Sequence, residues 1–571
     1  MQSAQTQTGR HLDAIAIEVV RNGLAAIADE MGATHVRAAY SSVVRESLDF
    51  STAVCDGNGR VVAQGLSLAL QLGAIPRFMQ HVRERLAHPP APGDVYLLNH
   101  PWQGGVHLPD FFFAKPVFVG DDAEPIAYTV IVSHMVDVGG PHPGGVAVAA
   151  RSLWDEGLVL PLVPLVQRDV TNQVLLDVIA ANTRDPDKVL GDIRSVLAGL
   201  EAGARQVLDL ARRTGPDRLG LLMDQLLETT ETATRAAIAA LPDGIGEAED
   251  YLDDDGRGGP PLVFRCRVDK CGEHLRYDFS GTADQVPAGI NCTIADTLSV
   301  VTFVTRAALG GDLPVNEGFT RCLDYFAPEG CMVNASYPAA VGSRAAAIYR
   351  MCDVAMGALA ELAPERIPAN DGGPAVVYMS GHSPTHGDYI VLDYVQAGWG
   401  ATAGADGVAA ASHPISNAGS LPVEIAEEEA PVRIHRFSLA QDSSGVGTHV
   451  GAPAVEREYE SLADGLTINY RLDRCLHAPQ GTQGGGPGTT AAVRSFQNGT
   501  WSELPGKGQI VLNTGDRLHI RLAAGGGFGA PSSRAASAVE ADLLGGLISD
   551  EHAALAYGRR VDAHATVTSE R

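Results

Sequence analysis

Residues 93–118 read GDVYLLNHPWQGGVHLPDFFFAKPVF, and residues 128–140 read YTVIVSHMVDVGG. In each, a short run rich in Val, Ile, Tyr and Phe meets Gly and Pro, the pattern of a strand running into a turn. The polar residues of both stretches are therefore expected at strand ends or in the loops that follow. They form the densest group of chemistry-bearing side chains in the chain: His107 and Asp110, then His134 and Asp137, with His100 and His142 close by. Imidazole nitrogen and carboxylate oxygen can jointly hold a divalent ion, and two loops from neighbouring strands can bring such donors together across 24 intervening positions. Gly104, Gly105, Gly139 and Gly140 leave the backbone free to bend or approach closely. A purely structural hydrogen-bond network is the alternative reading. The spacing differs from a zinc finger and from helical HExxH, so it names neither zinc nor a peptidase.

On either side of this group the pattern changes. Residues 14–32 carry Val20, Leu24, Ile27 and Met31 at helical spacing, which predicts an amphipathic helix with a buried stripe. RESLDFSTAVCDGNGRVVAQG (45–65) reads as strand, turn, strand. Residues 198–242 predict two or three helices joined near Thr214-Gly215-Pro216. AEDYLDDDGRGGPP (248–261) reads as a turn or subdomain boundary with solvated acids, and ADTLSVVTFVTRAALG (295–310) as a buried helix. Beyond residue 389 strands and turns dominate, with a final helix expected over LLGGLISDEHAALAYG (543–558). The fold class is thus α/β with extensive mixed β-sheet and a β-rich C-terminal region, in a large multi-domain chain. Three regions are expected: 1–245 with the metal site, 246–390, and a Gly-rich 391–571.

The chain has 571 residues, with 42 Lys and Arg against 68 Asp and Glu, a formal charge of −26. That balance argues against nucleic acid or an anionic membrane as partner. Eight cysteines at irregular intervals suggest neither a disulfide scaffold nor a zinc ribbon. The N-terminus has no apolar signal core and no apolar run is long enough to span a bilayer, so a cytoplasmic protein is expected.

His107, Asp110 and His134 are the preferred metal ligands, and Asp137 is taken as a neighbour that orients a ligand or positions water. Together His134 and Asp137 are the expected catalytic residues. Arg344 and Arg350 offer either anion recognition or internal ion pairs. Arg45, Glu46 and Asp49 suit substrate recognition or an internal network, and His413, Asn417 and Glu424 either substrate contacts or an acidic surface. PQGTQGGGPGT (479–489) and AAGGGFGAP (523–531) read as tight turns or as cradles for anionic groups. Ser133 lacks a nucleophile elbow, and Cys55 reads as packing.

An ordered series of blocks, ADEMG (28–32), DFSTAVCD (49–56), NHPWQGGVHLPD (99–110), HMVDVGG (134–140), ANTRDPDKVLGD (181–192), DFSGTA (278–283), LPVEIAEEEAPVRIHRF (421–437) and AAGGGFGAP, resembles the hydantoinase B/oxoprolinase family. This family includes subunits of acetone and acetophenone carboxylases. The resemblance covers nearly the whole chain. It places the metal-associated residues on His107, Asp110 and His134, the ion being zinc, manganese or iron, and makes Asp137 an active-site neighbour. It departs at Met135, where many relatives resemble HHADVGG. The resemblance implies a hetero-oligomer with a hydantoinase A-like ATPase subunit that binds ATP, since this chain has no P-loop. It implies ATP-dependent opening of a small cyclic amide. The alternatives are a carboxylase subunit acting on a ketone, and a non-catalytic scaffold for the ATPase.

Overall fold

Strands β4 (Asp110–Val117) and β5 (Ala127–His134) pair antiparallel at the centre of a seven-stranded sheet, ordered β2-β1-β5-β4-β3-β6-β7. Its other strands are β1 (Phe50–Asp56), β2 (Val61–Gln64), β3 (Val95–Leu98), β6 (Val163–Gln167) and β7 (Val170–Thr171). The computed structural model describes residues 5–65, 68–86, 88–120 and 122–558, with side chains from residue 14 onward. Both faces of the sheet are covered, which explains its near-continuous apolar strands. Phe111, Phe113 and Ile131 face one core, with Val20, Leu24, Ile27 and Met31 of the helix Gln5–Ala38 and with Val196 and Leu200 of the helix Pro186–Thr214. Phe112, Val130 and Val132 face the opposite core, where Phe112 packs on Phe78 of the helix Ala74–Arg85 at a ring separation of 5.5 Å.

A second sheet, β8 (Gly244–Leu252), β9 (Leu262–Cys271), β10 (His274–Asp278) and β11 (Leu323–Phe326), packs against the buried helix Ala345–Ala360. A third joins β12 (Ala375–Ser383), β13 (Gly387–Val395), β16 (Leu466–Arg471) and β19 (Lys507–Leu512). The fourth joins β14 (Val432–Leu439), β15 (Val455–Ser461), β17 (Ala492–Gln497), β18 (Thr500–Leu504) and β20 (Arg517–Arg521). The chain is therefore a multi-domain mixed α/β fold with a β-rich C-terminal region. Residue 390 lies inside β13, and the β12–β13 hairpin serves two cores at once. Val376, Tyr378, Ile390, Leu392 and Tyr394 turn toward the N-terminal core, while Val377, Met379, Tyr389 and Val391 turn toward the C-terminal one. Strict alternation along a strand produces this division.

The helices at 186–239 break at Gly215, and the buried helix at 295–310 is Ile294–Leu309. Two details differ from expectation. The final helix is two, Ala536–Leu544 and Asp550–Tyr557, separated at Gly545 and Gly546, the latter at φ +70°. The acids at 253–255 are not a simple solvated run: Asp253 is buried and accepts from the backbone N–H groups of Cys475 (2.5 Å) and His477 (3.1 Å).

The C-terminal glycines serve close packing. A Cβ on Gly451 would lie 1.9 Å from the carbonyl oxygen of Gly525, and one on Gly485 would lie 2.2 Å from that of Gly527. Loops 445–451, 481–488 and 523–529 thus meet backbone to backbone, tied by bonds such as Gly486 N to Val446 O at 2.7 Å and Gly527 N to Gly486 O at 2.9 Å. Among the described residues, no helix is long and apolar enough to cross a membrane.

Candidate metal centre

The β4–β5 register pairs Asp110 directly with His134, and β1 pairs Phe50 with Ser133 on the other side of β5. Asp49, just before β1, therefore also comes beside His134. Strand order alone brings three residues from distant parts of the chain to one edge of the sheet. His107 joins them through a tight turn in which Asp110 N donates to His107 O at 3.2 Å. His107, Asp110 and His134 are all buried and offer one ligand atom each within 4.8 Å of one another.

Asp110 Oδ1 lies 3.1 Å from His107 Nε2 and 2.9 Å from His134 Nδ1. Its Oδ2 accepts from Arg344 Nη2 at 2.8 Å, and Arg344 Nη1 donates to Asp296 Oδ1 at 2.9 Å. His134 Nε2 meets the Tyr378 hydroxyl at 3.1 Å, and Asp49 Oδ2 accepts from the Tyr394 hydroxyl at 2.7 Å. A cavity of about 30 Å³ opens on these residues, also lined by Tyr349, Ser416 and Arg471. In that measure a water needs roughly 10–15 Å³, so the space suits two waters or one compact polar group.

The charge states follow from burial opposed by neighbours. Burial pushes His107 down to about 4 despite Asp110. Burial also opposes the charged form of His134, but Asp49 and Asp110 outweigh it and hold the imidazole above its ordinary value. Burial works against ionised Asp110 too, yet the two histidines and Arg344 keep its carboxyl well below the usual range.

This donor set fits a cation. His107 Nδ1 lies 2.9 Å from Gly342 O, and a carbonyl oxygen can only accept, so the ring proton sits on Nδ1. Neutral Nε2 then presents a lone pair to ionised Asp110 Oδ1 at 3.1 Å, an arrangement of two acceptors that a positive ion between them relieves. A histidine steadied by a backbone carbonyl, and a carboxylate anchored through its second oxygen, are also how ligands are commonly oriented.

Asp137 lies outside the trio, and its oxygens are already committed. Oδ1 accepts from Gly144 N at 2.9 Å and from Arg184 Nη1 at 2.8 Å, and Oδ2 accepts from Arg184 N at 2.7 Å. It anchors the 139–145 loop, where Gly144 stands at φ +78° and a Cβ would lie 2.2 Å from the Tyr378 ring. Met135, on the opposite face of the chain from His134, is fully buried in the apolar core. Arg344 and Arg350 are engaged by carboxylates, Arg350 by Asp250, Asp353 and Asp473. Among the described residues Arg45 pairs with its neighbour Glu46, at 3.7 Å. His413 packs against Tyr349 with ring centroids 4.6 Å apart and planes tilted by 33°, and burial pushes it down to about 3. Glu424 is exposed and Asn417 occupies a left-handed turn at φ +53°. The reading from residue types did not single out Tyr378, Tyr394 or Arg471, because each lies on a strand more than 240 residues away from His134 or has no local motif. The alternation of YIVLDYV with the facing AVVYM strand is the available signal for Tyr378 and Tyr394, and that of LTINYR for Arg471.

The sequence profile of Hydantoinase B/oxoprolinase matches residues 13–531. A putative D-/L-hydantoinase component of Pseudomonas sp. (strain NS671) is 30% identical over 568 residues, covering 96% of this chain and 95% of its own. The crystal structure of ATP-dependent caprolactamase from Pseudomonas jessenii superposes with a TM-score of 0.89 at 27% identity, over 97% of this chain and 98% of that one. A nucleotide-free acetone carboxylase structure also gives 0.89, at 17% identity over 97% and 81%, and shares the fold. The chain belongs to the hydantoinase B/oxoprolinase family.

Proposed function

We propose that this chain is the subunit of an ATP-dependent cyclic-amide hydrolase in which His107, Asp110 and His134 hold one divalent metal ion. The observation that carries the reading is the convergence of these three donors, with a neutral imidazole lone pair facing an ionised carboxylate. Names of similar proteins, one component of a hydantoinase and an ATP-dependent caprolactamase, support ring opening of an amide and a separate ATPase partner. A bound ion supplies polarisation of a carbonyl oxygen or activation of water.

The residues of the chain do the positioning. Arg344 fixes Asp110 through Oδ2 and leaves Oδ1 toward the imidazoles. Tyr378 and Asp110 together set the ring of His134. Buried walls keep the site's charges in a low dielectric, where their interactions are strongest. Asp137 acts indirectly, by holding the Gly144 turn against Tyr378.

The test is the complex reconstituted with its hydantoinase A-like partner, supplied with ATP and a cyclic amide such as a hydantoin or lactam. Ring-opened product and phosphate without bicarbonate are expected. A strict bicarbonate requirement with a carboxylated product would replace the hydrolase by a ketone carboxylase. Full turnover in complexes carrying His107→Ala or His134→Ala would leave the chain a scaffold.

A further inference from the structure

Arg471 is the cationic side chain of the cavity with no acidic partner among the described residues. It ends β16, where it pairs in register with Val376 of β12 and Lys507 of β19. Alternation turns Tyr470 into the C-terminal core and Arg471 the other way, onto the face that Tyr378 shares. There it lines the same cavity as His107, Asp110 and His134, beside Tyr349 and Ser416. Its Nη1 is enclosed and meets no hydrogen-bond acceptor.

The other guanidiniums nearby set the contrast. Arg344 spans Asp110 and Asp296, and Arg350 spans three carboxylates, so their neighbours raise both above the ordinary arginine value. Burial instead pushes Arg471 down. Arg471 is half-buried with its Nη1 end enclosed; a cationic end shut in without an acceptor is costly, and a fold retains one where something else completes it. A guanidinium donates in a planar fork that matches carboxylate and phosphate oxygens. The neighbouring carboxylates are taken, Asp110 by Arg344 and Asp49 by Tyr394 and Gln71.

We propose that Arg471, with Tyr349 and Ser416, forms an oxyanion subsite that takes a carboxylate or phosphate group of the ligand entering the cavity beside His107, Asp110 and His134. The subsite deepens the metal-centre reading, on which the identity of the ligand as substrate rests. Arg344 and Arg471 face Asp49 and Asp110, with Asp296 behind Arg344, so a divalent ion would turn the local balance positive and favour an anionic ligand. Arg471 also lines a second small cavity, together with Arg350 and Asp473.

The test uses the purified full chain, with inorganic phosphate and acetate as separate probes, read by calorimetric titration and by melting temperature. Saturable binding of at least one probe is expected. Arg471→Met should weaken it at least about tenfold and, without anion, melt no lower than wild type, because it removes an unpaired charge. Arg471→Lys keeps the charge and should retain part of the affinity, which separates lost recognition from a damaged fold. Phosphate alone binding assigns a phosphoryl group; acetate alone assigns a carboxylate. No saturable binding of either, or Arg471→Met binding as wild type does, overturns the subsite. Metal content measured on the same samples reports the metal reading separately.

Discussion

Two buried charge clusters draw on one helix and differ in what they leave open. Arg344, at the N-cap of Ala345–Ala360, reaches Asp110 beside the histidines; Arg350 and Asp353, further along, enter a network with Asp250, Asp473, Arg474 and Lys507. In that network each guanidinium fork and the ammonium meet carboxylates at 2.8–3.2 Å, and the acids come from the second sheet, the helix and the segment after β16. It bolts two sheets together. The other cluster keeps a cavity, two facing acceptors and an unmatched arginine. Completed charges mark a structural joint; incomplete ones mark a place where a ligand is expected.

The strongest test of that contrast is Arg350→Met. Removing one member of a matched buried network leaves carboxylates uncompensated, at a cost of roughly 3–5 kcal/mol. Chemical denaturation should show the loss, against little or none for Arg471→Met. Equal destabilisation by the two would erase the distinction.

Gly144→Ala probes the incomplete cluster from outside. A methyl group there meets the Tyr378 ring and demands an unfavourable φ, so the tyrosine must leave His134. Displacements of this kind cost about 100-fold in rate, and turnover of the reconstituted complex should fall accordingly while the chain still binds metal. Wild-type rates would show that Tyr378 does not position His134.

The last comparison is between two imidazoles, His134 at the end of β5 and His35 on the helix Gln5–Ala38. His134 has carboxylates beside it, whereas His35 has only the hydroxyls of Ser195 at 2.7 Å and Ser133 at 3.0 Å, and burial drives it down to about 3. Unfolded His35 binds a proton below about 6.5, so the stability its neutral form contributes is complete above that value and is lost as pH falls toward 3. The slope is up to roughly 1.4 kcal/mol per pH unit. His35→Gln should flatten the acid side of the stability curve in that window, and an unchanged curve would mean the imidazole is not held neutral.

Local pattern made the N-terminal helix, the β1–β2 hairpin and the trio of His107, Asp110 and His134 readable, since each is announced by periodicity or by a polar residue at a strand end. What escaped was set by register across long separations. Tyr378 and Arg471 reach the site because β12 pairs with β16 and lies over the first sheet, a fact no window around either residue contains. The partner of Asp137, Arg184, is likewise invisible to a local window, since it lies 47 positions on. The glycine blocks were read as tight turns or anion cradles, and only tertiary contact reveals that loops 445–451, 481–488 and 523–529 need the absent side chains to touch.

The central claim is that His107, Asp110 and His134 hold a metal ion. Elemental analysis of the full chain purified with the proposed ATPase partner, as wild type and as His107→Ala and His134→Ala, tests it most directly, with melting temperatures confirming that each variant is folded. One divalent ion per wild-type chain, and far less than one in either folded variant, is the predicted result. Stoichiometric metal in both variants, or none in an active wild-type complex, would contradict the account.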